Sequence, residues 1–305
     1  MMPAITLLDG GLGQEINKRS ARDKAHPLWS VKVMEEEPEL IVAVHKDFLD
    51  AGAKVLSTNN YTGSITRLTR HGYGDQFLHV HKRAIELLNQ AIEESHINRD
   101  EINIAGCLMP LAASYVAEAA HDYDRSYEEY CKVIEAQIHG VDVFLVETIS
   151  NIAEARAALD ALKVHGQKAF IGLTLSDDLS NNLRSGERLQ DAVDQLSAAG
   201  ADALMVNCSF PEAVDKAIPV LASAGLPFGG YANGFTSIES LAPGTTVDTL
   251  VSRQDLTPET YADHVMSWVD GGATIVGGCC EISPNHIRHL SERLRRAGND
   301  IKTLV

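Results

Sequence analysis

Cys208, Cys279 and Cys280 are the residues of this chain best suited to chemistry, and two of them stand side by side in VGGCCE, residues 276–281. On a regular strand, neighbouring side chains point to opposite faces. Adjacent thiols can share one target only where a strand ends and the backbone turns, and Gly277 and Gly278 are expected to supply unusual φ/ψ there. Three soft thiolates with one open position suit Zn2+ better than magnesium or calcium. Such a metal is a weak Lewis acid for water. It can still hold a substrate thiol as thiolate near neutral pH, although a free thiol has a pKa of ~8.5. A thiolate held this way is a nucleophile, and the reaction it suits is alkylation of sulfur by an activated methyl group. The other two cysteines, Cys107 and Cys131, read as small core residues. A disulfide between Cys279 and Cys280 would be strained. A non-enzymatic use of the pair is a thiol redox sensor or zinc store.

The elements that would position these thiols are written as short apolar runs. They cover residues 4–11, 53–61, 103–110, 141–149, 168–176, 201–209, 227–234 and 273–280. Each is continuously apolar rather than alternating, as strands buried on both faces are. Helical patterns lie between them at 38–52, 151–166, 187–200 and 257–272, each stopping at glycine. Strand and helix in alternation imply βαβ units and a parallel sheet. Eight units predict a closed (β/α)8 barrel in a single domain; an open doubly wound sheet is the alternative, but no G-x-G-x-x-G follows the first strand. Barrel sites lie at the C-terminal strand ends. There the sequence places Asp9-Gly10-Gly11, Thr58-Asn59-Asn60, Glu147-Thr148, Asn207-Cys208-Ser209, Asn233 and Cys279-Cys280. Strands six and eight are alternate strands, so their inward residues can share a layer. The irregular stretch 234–256 is a candidate lid over the barrel mouth, and 17–30 is a second mouth segment.

Composition narrows the classes. A chain of 305 residues has the length of such a barrel and needs no disulfide staples. A net charge of −16, without a run of Lys and Arg, argues against nucleic acid and against an anionic membrane surface. The N-terminus lacks a basic signal-peptide region, no apolar run is long enough for a membrane helix, and five cysteines is an odd number. A cytoplasmic location is expected.

In order along the chain, DGGLGQE (9–15), PLWS (27–30), HKDFLDAGAKVLSTNNY (45–61), VETI (146–149), SGERLQDAV (185–193), VNCS (206–209), ANG (232–234), GGCC (277–280) and PNHI (284–287) resemble the homocysteine S-methyltransferase family. The resemblance covers nearly the whole chain. It implies a zinc-dependent barrel that methylates the thiol of L-homocysteine to give methionine, with Cys208, Cys279 and Cys280 as metal ligands. It implies that Asp9 and Glu147 hold the substrate ammonium and that Gly10 and Gly11 let the backbone approach the substrate. Thr58 and Asn233 are further substrate-binding candidates. GCLMPLAASY (106–115) lacks the glycine-rich wording common in the family after the third strand, which bears on the methyl donor. Tyr61 and Trp29 are candidate aromatic contacts for a methyl cation. The chain ends about 25 residues beyond Cys280 with no folate or cobalamin module. S-methylmethionine or S-adenosylmethionine is therefore the expected donor, with betaine next; PLWS favours the first type. Betaine-type and selenocysteine-type methyltransferases are alternatives. A barrel lyase or aldolase using Glu147 and Asp9 as acid and base is another, but no lysine ends any of the eight strands.

Overall fold

The computed structural model describes residues 4–21, 27–238 and 250–305, with the Trp29 side chain excepted. Each of the eight apolar runs forms a strand. They are β1 (Ile5–Leu7), β2 (Val55–Ser57), β3 (Asn103–Leu108), β4 (Val143–Ile149), β5 (Phe170–Leu173), β6 (Ala203–Asn207), β7 (Phe228–Tyr231) and β8 (Ile275–Val276). All pair in parallel, in the order β2-β3-β4-β5-β6-β7-β8-β1. The ends of this row meet. Leu8 bridges Val55, the Asp9 N–H donates to the Val55 carbonyl at 3.0 Å, and the Lys54 N–H donates to that of Leu7 at 2.8 Å. The sheet is thus a closed (β/α)8 barrel, as expected.

One strand escaped the sequence reading. β9 (Ile301–Lys302) runs parallel to the first residues of β1, and Asn103 Oδ1 accepts the Leu304 and Val305 N–H groups at 2.8 and 3.0 Å. β1 meets β2 only at its C-terminal end, and the tail fills the gap beneath. A two-residue strand is too short to show any hydrophobic period.

Two layers of core support the barrel. Inside it, Leu8, Val55, Ala105, Leu145, Met205 and Ile275 pack together. Outside, the opposite face of the strands packs on the helices, with Ile171, Val206, Leu159 and Trp268 among the buried side chains. This double burial is why the runs are continuously apolar. The helices are α1 (Leu12–Arg19), α2 (Trp29–Glu36), α3 (Pro38–Asp50), α4 (Ile65–Arg70), α5 (Phe77–Ser95), α6 (Tyr123–Glu135), α7 (Ile152–Val164), α8 (Leu189–Ala198), α9 (Pro211–Ala222), α10 (Pro258–Asp270) and α11 (Pro284–Arg296). Their limits follow local chemistry. The Thr257 side chain caps α10 by accepting from the Thr260 N–H at 3.3 Å, and Pro258 fills the first position, where no donor is needed. The chain leaves α10 through Gly272 at φ +98, a conformation that costs glycine little.

The segment after β7 begins and ends as a paired ribbon: Phe235 bridges Ser252, and the Thr236 N–H donates to the Val251 carbonyl at 2.9 Å. Residues 239–249, the middle of the candidate lid, and 22–26 of the second mouth segment lie outside the described residues. Among the described residues, no helix is long and apolar enough to cross a membrane.

Candidate active site and metal centre

β6 ends at Asn207 and β8 ends at Val276, and the thiols that follow them converge. The Sγ atoms of Cys208, Cys279 and Cys280 all lie within 4.8 Å of one another, and those of Cys208 and Cys280 are 3.7 Å apart. Two sulfurs each ~2.3 Å from one tetrahedral ion stand ~3.8 Å apart, so the donor set fits a thiolate-bound metal in chemistry and in spacing. The backbone reaches this geometry differently from the expectation. Neither Gly277 nor Gly278 is left-handed; that conformation falls on Cys208 (φ +46) and Glu281 (φ +67). The glycines are needed for space. A Cβ on Gly277 would come within 2.6 Å of Leu8 Cβ, and one on Gly278 within 2.3 Å of the Ile282 side chain. The turn is fixed by the Cys279 N–H donating to the Ala232 carbonyl at 2.9 Å and the Gly234 N–H donating to that of Cys280 at 2.9 Å.

The trio is electrostatically unequal. Burial opposes charge on Cys208, but hydrogen bonds from Cys279, Cys280 and Tyr115 outweigh it and hold this thiol well below the usual range. Sharing hydrogen bonds with Cys208, together with burial, pushes Cys279 and Cys280 well up. The three thiols titrate as one coupled group, in which charge on one opposes charge on its neighbours. The Tyr115 hydroxyl lies 2.9 Å from Cys208 Sγ and 4.0 Å from that of Cys280.

Two carboxyls face the same cavity, a cleft of about 250 Å³. Asp9 is buried and accepts the Ser57 N–H at 2.9 Å; burial still raises its pKa well above the usual range, with Glu147 adding repulsion. Burial raises Glu147 to about 7, partly opposed by hydrogen bonds from Cys107 and Tyr231. Glu147 is aimed by an irregularity in β4, whose register shifts between Val146 and Ile149. Thr148 sits at φ +62, an outlier for a β-branched residue. Asn207 holds it there. Its Oδ1 accepts the Thr148 N–H at 2.8 Å, and its Nδ2 donates to Thr148 Oγ1 at 2.9 Å. The residue before one thiol therefore clamps the residue after one carboxyl.

The other expected residues divide. Gly10 and Gly11 line the cavity, and a Cβ on Gly11 would stand 2.7 Å from the Cys279 carbonyl oxygen. Thr58 also lines it, but its hydroxyl is engaged, donating to Asn60 Oδ1 at 2.6 Å and accepting the Cys107 N–H at 3.2 Å. Asn233 is fully buried, is not among the cavity-lining residues, and uses Oδ1 to accept the Phe235 N–H at 3.1 Å. Tyr61 lines the cavity, with its hydroxyl 3.0 Å from Ser114 Oγ; the Trp29 side chain lies outside the described residues. Cys107 is buried as a core residue would be, yet it lines the cavity and meets Glu147. Cys131 is partly buried on α6 and packs against the core. Tyr115, Tyr231 and Arg67 also line the cavity and were not singled out from sequence. Tyr231 ends β7 in a short apolar run, a signal that was available; Tyr115 and Arg67 sit on a loop and on a six-residue helix, too short for a period to mark them.

The sequence model of the family described as homocysteine S-methyltransferase matches residues 6–294. The homocysteine S-methyltransferase of Escherichia coli K12 is 29% identical, over 95% of each chain. A selenocysteine methyltransferase of Astragalus bisulcatus is 28% identical, over 92% of this chain and 90% of its own. The crystal structure of the E. coli homocysteine methyltransferase MmuM superposes with a TM-score of 0.77 in its metallated form, at 25% identity over 95% of this chain and 96% of that one. Its oxidised form gives 0.79 at 27% identity, with the same coverage.

Proposed function

The chain belongs to the homocysteine S-methyltransferase family, and we propose that it is a zinc enzyme moving a methyl group from a small sulfonium donor to the thiol of L-homocysteine. S-methylmethionine and S-adenosylmethionine are the donors of that class. The observation that carries this reading is the convergence of Cys208, Cys279 and Cys280 on one cavity with Asp9 and Glu147. Zn2+ bound by the three thiolates supplies the positive charge that keeps a substrate thiol ionised near neutral pH.

The chain's own residues do the rest. Glu147 and Asp9, which both line the cavity, pair with the homocysteine ammonium and turn the thiol toward the cysteines. Gly10 and Gly11 leave room for the substrate beside the turn at Cys279 and Cys280. A cationic sulfonium is drawn toward a cavity lined by thiols, carboxyls and the ring of Tyr61. The thiol proton leaves to solvent first. The thiolate lone pair then forms the new S–CH3 bond in line, as the donor's S–CH3 bond breaks and its electron pair stays on a neutral thioether. The reactants' opposite charges cancel as the methyl passes, and exclusion of water strengthens the attraction between them.

The test is methionine formation from homocysteine with S-methylmethionine, S-adenosylmethionine or betaine, with and without chelator. Mixing homocysteine with the zinc enzyme should release about one proton per site near neutral pH. Transfer from a sulfonium, abolished by chelation, is expected; transfer from no donor would sink the proposal. Selenocysteine belongs in the acceptor arm, because its methyltransferase relative is about as similar as the E. coli enzyme.

A further inference from the structure

The cavity that gathers carboxyls and thiols is also lined by one largely buried cation, Arg67, that makes no ion pair among the described residues. Arg67 projects from α4, whose first turn is pinned by Ser64: its Oγ accepts the Arg67 N–H at 3.1 Å and donates to the Leu111 carbonyl at 2.7 Å. The guanidinium lies over the Tyr61 ring, 5.7 Å from its centroid. Nη2 donates to the Pro110 carbonyl at 2.8 Å and to Ser114 Oγ at 3.1 Å. Nε is buried with no hydrogen-bond partner. Among the described residues Arg67 makes no ion pair, and Glu154 acts on it only through space while bonded to the Leu111 N–H and near the Tyr130 hydroxyl. A buried charge left unpaired is costly, and a free protein that bears that cost is prepared for an anion.

The position says which anion. Arg67 is close enough to Cys107 to favour its ionised form, and Cys107 bonds to Glu147. Tyr61 feels both Arg67 and Cys208. The carboxyls, the thiols and this cation therefore share one small space. An α-amino acid carries its ammonium and carboxylate on the same carbon, so an ammonium held at Glu147 leaves its carboxylate a few ångströms away. We infer that Arg67 receives the α-carboxylate of an amino-acid substrate through Nη1, which makes no hydrogen bond among the described residues while Nη2 is engaged by Pro110 and Ser114. A charge-assisted hydrogen bond to a carboxylate is among the stronger ones, and the Tyr61 ring holds the guanidinium in place. This rests on the reading of the cavity as an amino-acid methyltransfer site. Both homocysteine and S-methylmethionine carry such a carboxylate.

The experiment compares wild type with Arg67→Gln on four substrates: homocysteine, aminopropanethiol (homocysteine without its carboxylate), S-methylmethionine, and the aminopropyl dimethylsulfonium cation (that donor without its carboxylate). The expected result is a loss of roughly 10- to 100-fold in kcat/KM for the carboxylate-bearing member of one pair. Its decarboxylated partner should change by less than about threefold, which excludes a general loss of structure. The affected pair identifies the acceptor or the donor as the ligand. Where an amine turns over too slowly, inhibition by methionine against methylthiopropylamine gives the same comparison. Equal losses on all four substrates would mean that Arg67 only ties α4 to the loop after β3, and no loss on any would mean that it meets no carboxylate; either overturns the inference. Absence of methyl transfer by the wild type would instead overturn the reading of the site beneath it.

Discussion

Replacing Glu147 with glutamine keeps the shape of the side chain and removes its charge, so it isolates what burial has done to this carboxyl. Burial moves its titration from 4.5 to about 7. The folded protein then keeps a proton that the unfolded chain has already lost. The stabilising contribution is fully present below pH ~4.5 and is lost as pH rises through about 7. At ~1.4 kcal/mol per pH unit the whole loss is ~3 kcal/mol. For a chain of 305 residues, that corresponds to ~5 °C in Tm. Melting curves of wild type and Glu147→Gln, recorded from pH 5 to 8, should therefore diverge, with the variant gaining ~4 °C on the wild type by pH 8, since part of the loss precedes pH 5. Binding should move the other way. An ammonium needs the ionised carboxylate, so wild-type affinity for homocysteine should fall about tenfold per unit below pH ~7. The variant should bind ~10- to 100-fold more weakly at pH 8 and show no such dependence. Parallel melting curves would show that the carboxyl is not desolvated, and an unchanged homocysteine affinity would leave Glu147 with a purely structural role.

Two further outcomes test the metal centre. The reduced protein should carry about one Zn2+ per chain, and Cys208→Ala should weaken zinc binding by more than ~100-fold while the barrel stays folded, because loss of a ligand exceeds the cost of losing an outer-shell partner; full zinc occupancy in that variant, measured by elemental analysis, would remove Cys208 from the site. Gly11→Ala puts a Cβ 2.7 Å from the Cys279 carbonyl oxygen and 3.3 Å from the Cys280 Cα; since backbone cannot yield as a side-chain tip can, zinc affinity measured against a competing chelator should fall ~10- to 100-fold, and wild-type affinity would show that the close approach is not needed.

The barrel was legible because its strands are buried on both faces and therefore written as unbroken apolar runs. The thiol trio was legible because three cysteines fell just beyond strands on one side of that sheet. What stayed hidden has a common cause: conformation that is not periodic. The left-handed turn falls on Cys208 and Glu281, neither of which advertises it, while the glycines that do advertise flexibility serve for close packing. Thr148 takes a conformation that a β-branched residue avoids, because Asn207, fifty-nine positions away, satisfies both its backbone and its hydroxyl. Tyr115 and Arg67 reach the cavity from a loop and a six-residue helix, and only the fold brings them to it.

Closure of the sheet makes one site from these scattered residues. Asp9 follows β1 and Glu147 lies in β4, while the thiols follow β6 and β8. In an open sheet, β1 would lie beside β8 at one margin with β2 at the other. Asp9 would then lose the Ser57 N–H that holds it, because Ser57 belongs to β2. The contact between Leu8 and Val55 brings those margins together. It places Glu147 close enough to raise the cost of ionising Asp9, while the charge of Cys208 raises that of Glu147. That excess of negative potential is unfavourable in the empty cavity. On the function proposed above it is relieved when cations enter, a metal among the thiolates and an ammonium at the carboxyls. The same crowding that destabilises the free site therefore favours cations in it, and Arg67 on the cavity wall, which makes no ion pair among the described residues, is the complementary site inferred for an anion.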